Sequence, residues 1–106
     1  MSGPRDLVLP PELQGLKRAS AALVRAAGGQ DAAAAEVGKA RSRLSDYGSV
    51  NTPDFMPVDV VRALEGVTHG QPGHPHVTRH LAAAAGYVLV PLPAGARLAG
   101  EDIMDA

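Results

Sequence analysis

The stretch "AAAAEVGKARSRLSDYGS", residues 32–49, decides how this chain folds. An alanine-rich run of strong helix formers meets Gly38, then restarts as a short segment carrying Arg41, Ser42, Arg43, Ser45 and Asp46. Stability alone favours one unbroken helix, because an interior glycine costs roughly 1 kcal/mol relative to alanine. The break therefore predicts two helices joined by a tight turn. The first runs from about Gln30 or Asp31 to Val37, and the second from about Arg41 to Tyr47, ending at Gly48. A short polar helix set apart in this way is expected to present its exposed face to a partner.

The spacing fits such a pair. A close crossing needs a small residue in the first helix, a glycine four residues later for the turn, and apolar anchors in the second helix. Ala34 and Gly38 meet the first two needs. Ala33 and Val37 face inward, and Leu44 and Tyr47 anchor the second helix. A side chain at Gly38 is expected to crowd the turn. Gln30, at the first helix's N-terminus, is placed to reach a phosphate. Lys39 follows the turn glycine and is placed to point at a phosphate. Ala40 stands at the N-cap, forgoing roughly 1 kcal/mol of capping.

Working outward, Leu13, Leu16, Ala19, Leu23, Val24 and Ala27 recur at helical spacing, with Lys17, Arg18 and Arg25 on other faces. Gly28 and Gly29 end that helix. Downstream, SVNTPDFMP is a loop by composition. Pro57 opens a fourth helix bearing Val58, Val60, Val61, Leu64 and Val67. After the loop THGQPGHP, a fifth helix spans about His76 to Ala85, with Val77, Leu81, Ala84 and Ala85 inward and Gly86 at its close. YVLVPLP, residues 87–93, reads as a short strand or extended arm confined to an edge by its prolines. These signals divide the chain into an extended lead-in (1–11), a helical domain (12–90) and a flexible acidic tail (91–106).

Composition agrees with an all-α domain of about five short helices. The core must come from Ala, Val and Leu, since Tyr47, Phe55 and Tyr87 are the only aromatics, and a β-sandwich would want more rings. The absence of cysteine excludes disulfides and thiolate metal sites. Nothing near the start resembles a signal peptide, and no apolar run approaches the roughly 20 residues of a membrane span. The expectation is a cytoplasmic protein without membrane contact. The formal net charge is −1, but it is unevenly spread. From Gln14 to Val50 the six cations Lys17, Arg18, Arg25, Lys39, Arg41 and Arg43 outnumber Asp31, Glu36 and Asp46. From Asn51 onward six acids outnumber Arg62, Arg79 and Arg97. A one-sided polyanion-binding surface has this signature.

Gln30, Ala34, Gly38, Leu44 and Tyr47, followed by "FMPVDVVRALE" and "VTRHLAAAAGY", give residues 12–90 a resemblance to the small helix-turn-helix regulators of phages and prophages, with a lambda-repressor-like or CII-like domain. The resemblance implies an all-α fold of about five helices and sequence-specific binding of double-stranded DNA in the major groove. The first turn of a recognition helix and the turn after it reach base edges. That assigns base contacts to Arg41, Ser42, Ser45 and Asp46. Arg41 suits the bidentate contact to guanine; its alternatives are a phosphate contact or plain solvation. Asp46 is more often a partner for Arg43, three residues earlier, than an acceptor from cytosine. Phosphate contacts fall to Gln30, Lys39, Arg43, Ser49 and Asn51, although Asn51 also serves as a turn former.

Other chemistries find less support. His69, His74, His76 and His80 fall within twelve residues, and His76 and His80 lie one turn apart, as two metal ligands would. The region reads as a Gly/Pro loop without cysteine, so neither metal nor cofactor is assigned. No nucleophile elbow, phosphate-binding glycine loop, HExxH or carboxylate pair marks an enzyme. The rival reading is a protein–protein adaptor of the same fold, acting on a transcription complex. One short recognition helix reads few base pairs, so a homodimer is expected. RNA polymerase or another transcription factor is a further expected partner.

Overall fold

The computed structural model describes residues 8–93; the predicted lead-in before residue 8 and the predicted tail from residue 94 lie outside the described residues. Within them the chain is all-helical, with α1 Pro11–Ala26, α2 Gln30–Val37, α3 Arg41–Gly48, α4 Val58–Val67 and α5 His76–Ala84. No strand occurs among the described residues, and no helix is long and apolar enough to cross a membrane.

Each boundary has a local cause. Pro11 opens α1 with the φ angle a first turn wants and no N–H to leave unpaired, while the Pro10 carbonyl accepts from Leu13 and Gln14 at 2.9 and 3.0 Å. Glu12 and Arg25 lie at the ends that the helix dipole favours for their charges. Two left-handed glycines, Gly28 (φ 105°) and Gly29 (φ 104°), turn the chain directly into α2. Gly38 adopts φ 68° at the end of α2, and the next N–H, that of Lys39, returns to the Ala34 carbonyl at 3.1 Å. A Cβ at Gly38 would meet nothing within 4 Å. Backbone strain, and not the expected crowding, is what reserves the position for glycine.

α1 packs on all four other helices, α2 lies on α3 and α4, and α4 touches α5. The core consists of Leu23, Val24, Ala33, Ala34, Leu44, Tyr47, Val60, Leu64 and Val77, with Leu16, Ala19, Ala27, Val37, Met56 and Val61 around it. Alanines at 33 and 34 let α2 approach closely enough for this small core to close. Gly48 acts in the same way on α3. It lies against Ala21 of α1, where an added Cβ would come within 2.8 Å of the Ala21 Cβ. Its backbone is not left-handed, so close approach, more than helix termination, explains this glycine.

Several expectations are corrected. Lys17, read as a surface cation, is fully buried. Leu81, Ala84 and Ala85, read as inward, are exposed, as are Val58 and Val67 of the fourth helix. Helices α4 and α5 span only ten and nine residues, and each turns a single narrow stripe, Val60 with Leu64 or Val77, into the core. Pro57 caps α4 from outside instead of forming its first residue. Segment 87–93 forms no strand.

The α4–α5 connection is held by one carboxylate. Glu65 Oε2 accepts the Val77 and Thr78 N–H groups, both at 2.9 Å, and Oε1 accepts the Thr78 hydroxyl at 2.5 Å. α5 has no side-chain cap of its own from Pro75, so α4 supplies it across the loop. Beneath the same turn, the Thr68 hydroxyl donates to the Leu64 carbonyl at 2.9 Å.

Candidate functional site

Leu44 and Tyr47 turn one side of α3 into the core, and the opposite side is thereby exposed. Arg41, Ser42 and Ser45 are exposed, and Ser45 lies four and three residues after the other two, the spacing of helix neighbours. Arg43 and Lys39 are also exposed, and Gln30 is half-buried as the first residue of α2. Ser49 and Asn51 follow α3 in a turn in which the Asn51 N–H donates to Ser49 Oγ at 3.2 Å. Of the sequence-assigned residues, Gln30, Arg41, Ser45 and Ser49 come together along one groove, whereas Arg43 lies toward Asp54 in the loop after α3.

α3 begins without help from a side chain: Ala40 makes no capping hydrogen bond, and its carbonyl accepts the Arg43 N–H at 3.0 Å. Register is set at the other end. Lys17 Nζ reaches from α1 to donate to the Asp46 carbonyl at 2.7 Å, to Thr52 Oγ1 at 3.0 Å and to the Asp54 carbonyl. Thr52 Oγ1 in turn donates to the Asp46 carbonyl at 2.8 Å. The ammonium also lies 4.6 Å from the centroid of the Phe55 ring, within cation–π range. Burial lowers the Lys17 pKa below its ordinary value, with Asp54 and then Asp46 acting in the opposite direction. This buried cation fixes the end of α3 and the loop after it. It adds nothing to the surface charge counted from the sequence.

Charge on the exposed face is further reduced by pairing. Arg41 Nε lies 2.8 Å from Asp31 Oδ1 at the start of α2, with both side chains mostly exposed. Arg43 lies 3.8 Å from Asp54, whereas the sequence suggested Asp46. Asp46 is half-buried and close to Lys17.

A groove of about 600 Å³ runs between the end of α1, the start of α2 and α3. Arg25, Gln30, Asp31, Arg41, Ser45 and Ser49 supply its polar lining. Arg25 was not among the residues the sequence assigned to contacts, since sixteen positions separate it from Arg41. The available signal was its place in the last turn of α1, just before the glycine pair that sends the chain back into α2.

The histidines divide among separate packing tasks. His80 packs against Gly15 of α1, where a Cβ would come within 2.9 Å of its ring, and His76 packs in the same manner on Gly73. The rings of His69 and His74 meet edge to face with centroids 4.9 Å apart. Among the described residues no three His, Cys, Asp or Glu side chains gather as metal ligands.

Comparison with protein-family models, with curated proteins and with solved structures finds no match to this chain.

Proposed function

We propose that the chain is a sequence-specific, double-stranded DNA-binding regulator of transcription of the phage or prophage helix-turn-helix type, working as a homodimer in the bacterial cytoplasm. The observation that carries this reading is the split character of α3. Leu44 and Tyr47 pin one side, Gly38 sets the turn before it, and Arg41, Ser42 and Ser45 are exposed on the other side. In this reading α3 enters the major groove, with Arg41, Ser42 and Ser45 at base edges and Asp46 at the rear of the same face. Gln30, Lys39, Arg43, Ser49 and Asn51 hold the backbone, and Arg25 joins them from α1.

The Arg41–Asp31 ion pair favours a second reading, in which the same face docks a protein of a transcription complex and the arginine is part of a mixed-charge patch. Salt titration of DNA binding separates the two, because phosphate contacts release counterions and a protein interface does not. On the DNA reading, Arg41→Ala costs roughly 1–3 kcal/mol on the specific site and relaxes preference at one base position. Lys39→Ala weakens binding to all sequences alike and lowers the salt slope by about one unit. If both variants bind DNA as the parent does, the adaptor reading replaces this one.

A further inference from the structure

The segment Tyr87–Pro93 leaves α5 and stays outside the core. The Tyr87 N–H returns to the Ala82 carbonyl at 2.8 Å, and from Val88 to Pro93 no backbone hydrogen bond is made among the described residues. The segment is apolar throughout, yet Tyr87 is 72% exposed, Val88 87% and Val90 81%. It stands off α5 across a groove of about 1030 Å³, lined from the domain side by His74, Thr78, Arg79 and Ala83. The two prolines hold their own φ near the extended range and push Val90 and Leu92, which precede them, toward extended backbone.

In an extended chain, alternate residues direct their N–H and C=O groups to opposite edges. Pro91 and Pro93 have the same parity, so both missing donors fall on the edge shared with Tyr87 and Leu89. The other edge, carried by Val88, Val90 and Leu92, keeps every donor and acceptor. We propose that two copies of this chain pair antiparallel along that edge, with Val90 opposite Val90 on the two-fold axis and Val88 opposite Leu92. In this register both prolines occupy outward positions, where the ladder asks for no donor. Val88, Val90 and Leu92 form cross-strand apolar pairs on one face of the ribbon. Tyr87 and Leu89 lie on the other face.

A second copy suits this edge for a further reason. No residue from Leu81 to Pro93 is charged, so the two-fold sets no like charges against each other. Two paired seven-residue arms cover a small area, in the weak class of interfaces below about 1,200 Å². The outcome is a monomer–dimer equilibrium in the micromolar range, formed without DNA and measurable apart from any DNA contact.

The parity argument yields a test on the full chain by light scattering without DNA. Val90→Pro removes the donor at the axis and is expected to weaken dimerisation roughly tenfold to a hundredfold, with the helical circular dichroism unchanged. Leu89→Pro removes an outward N–H and is expected to remain dimeric. The chain lacks cysteine, so Val90→Cys introduces a single thiol. Directly opposed residues lie about 5.5 Å apart at Cα, inside the disulfide range, whereas the diagonal pair made by Leu89→Cys lies about 7–8 Å apart. Rapid oxidative linkage of Val90→Cys and slow linkage of Leu89→Cys support the pairing. A monomeric parent at high micromolar concentration, an undiminished Val90→Pro dimer, loss of the dimer in Leu89→Pro, or equal linkage of the two thiols each overturns it.

Discussion

Lys17 Nζ lies 2.7 Å from the carbonyl oxygen of Asp46, so a lysine of α1 closes the last turn of α3 from inside the protein. The contact joins the helix that organises the core to the helix that carries the candidate site, and it extends through Thr52 and Asp54 into the following loop. Lys17→Met keeps most of the volume and removes the ammonium donor from the oxygens of Asp46, Thr52 and Asp54. Chemical denaturation is expected to show a loss of about 2 kcal/mol, since hydrogen bonds from a charged group are worth about 1.5–3 kcal/mol.

The same lysine gives a pH signature. Its folded-state pKa is lowered from the ordinary 10.5, chiefly by burial. As pH rises, the folded protein therefore gives up this proton before the unfolded chain does. Between the lowered value and 10.5 the unfolded chain binds more protons, so the Lys17 contribution makes stability climb with pH through that window. Below the window the burial penalty is fully present. Subtracting the Lys17→Met unfolding profile from the parent profile isolates the term; a difference that falls with pH there would contradict the assignment.

Asp31→Ala releases Arg41 from its 2.8 Å ion pair and removes an anion from the groove. Both partners are exposed, and exposed pairs are worth about 0.2–1 kcal/mol, so the unfolding midpoint is expected to change little. Affinity for DNA is expected to rise up to about fivefold at low salt, and the gain should shrink as salt screens it. Fluorescence anisotropy against salt concentration reads both effects. Unchanged or weaker binding by Asp31→Ala would remove Arg41 from the DNA-facing set.

Two helical glycines are expected to respond to alanine in opposite directions. At Gly48 a Cβ would come within 2.8 Å of the Ala21 Cβ, so Gly48→Ala forces α1 and α3 apart and costs about 1–3 kcal/mol. Ala21→Gly in the same chain should recover part of that loss. At Gly66 nothing lies within 4 Å, so Gly66→Ala removes only unfolded-state freedom and stabilises by about 0.4–1 kcal/mol. Thermal melts of the three variants decide the matter.

Glu65→Ala withdraws the acceptor shared by the Val77 and Thr78 N–H groups and the Thr78 hydroxyl. A lost cap of this kind costs about 0.5–2 kcal/mol. Amide hydrogen exchange is expected to speed up first at Val77 and Thr78, before the rest of α5. Uniform acceleration across all helices would mean that the carboxylate does not act locally.

Most of the helical layout was legible because its causes are local. Gly28 with Gly29, and Gly38 after Val37, act through φ angles that do not depend on what lies far along the chain, whereas Pro11, read as the end of the extended lead-in, opens α1. The inward positions Leu23, Val24, Ala33, Leu44, Tyr47, Val60, Leu64 and Val77 followed from helical spacing, and each is buried. Periodicity failed for Leu81, Ala84 and Ala85, and Val58 and Val67 of α4 are exposed as well. Spacing gives the direction in which a side chain points but not whether another helix covers it, and these short helices are covered along one narrow stripe.

The sequence by itself determined where the chain turns, which side of α3 is anchored and which side carries Arg41, Ser42 and Ser45. Tertiary structure alone decided how the charges are used. Lys17 was counted as a surface cation because lysine is almost never fully buried unless paired. Its partners are backbone oxygens near Asp46 and Asp54, which no spacing rule connects to α1. The pairing of Arg41 with Asp31, the arrival of Arg25 in the same groove and the capping of α5 by Glu65 likewise join separate helices. Electrostatic and hydrogen-bond partners are set by distance in space, whereas backbone conformation is set by immediate neighbours. A single sequence therefore shows the second directly and the first only once the helices are packed.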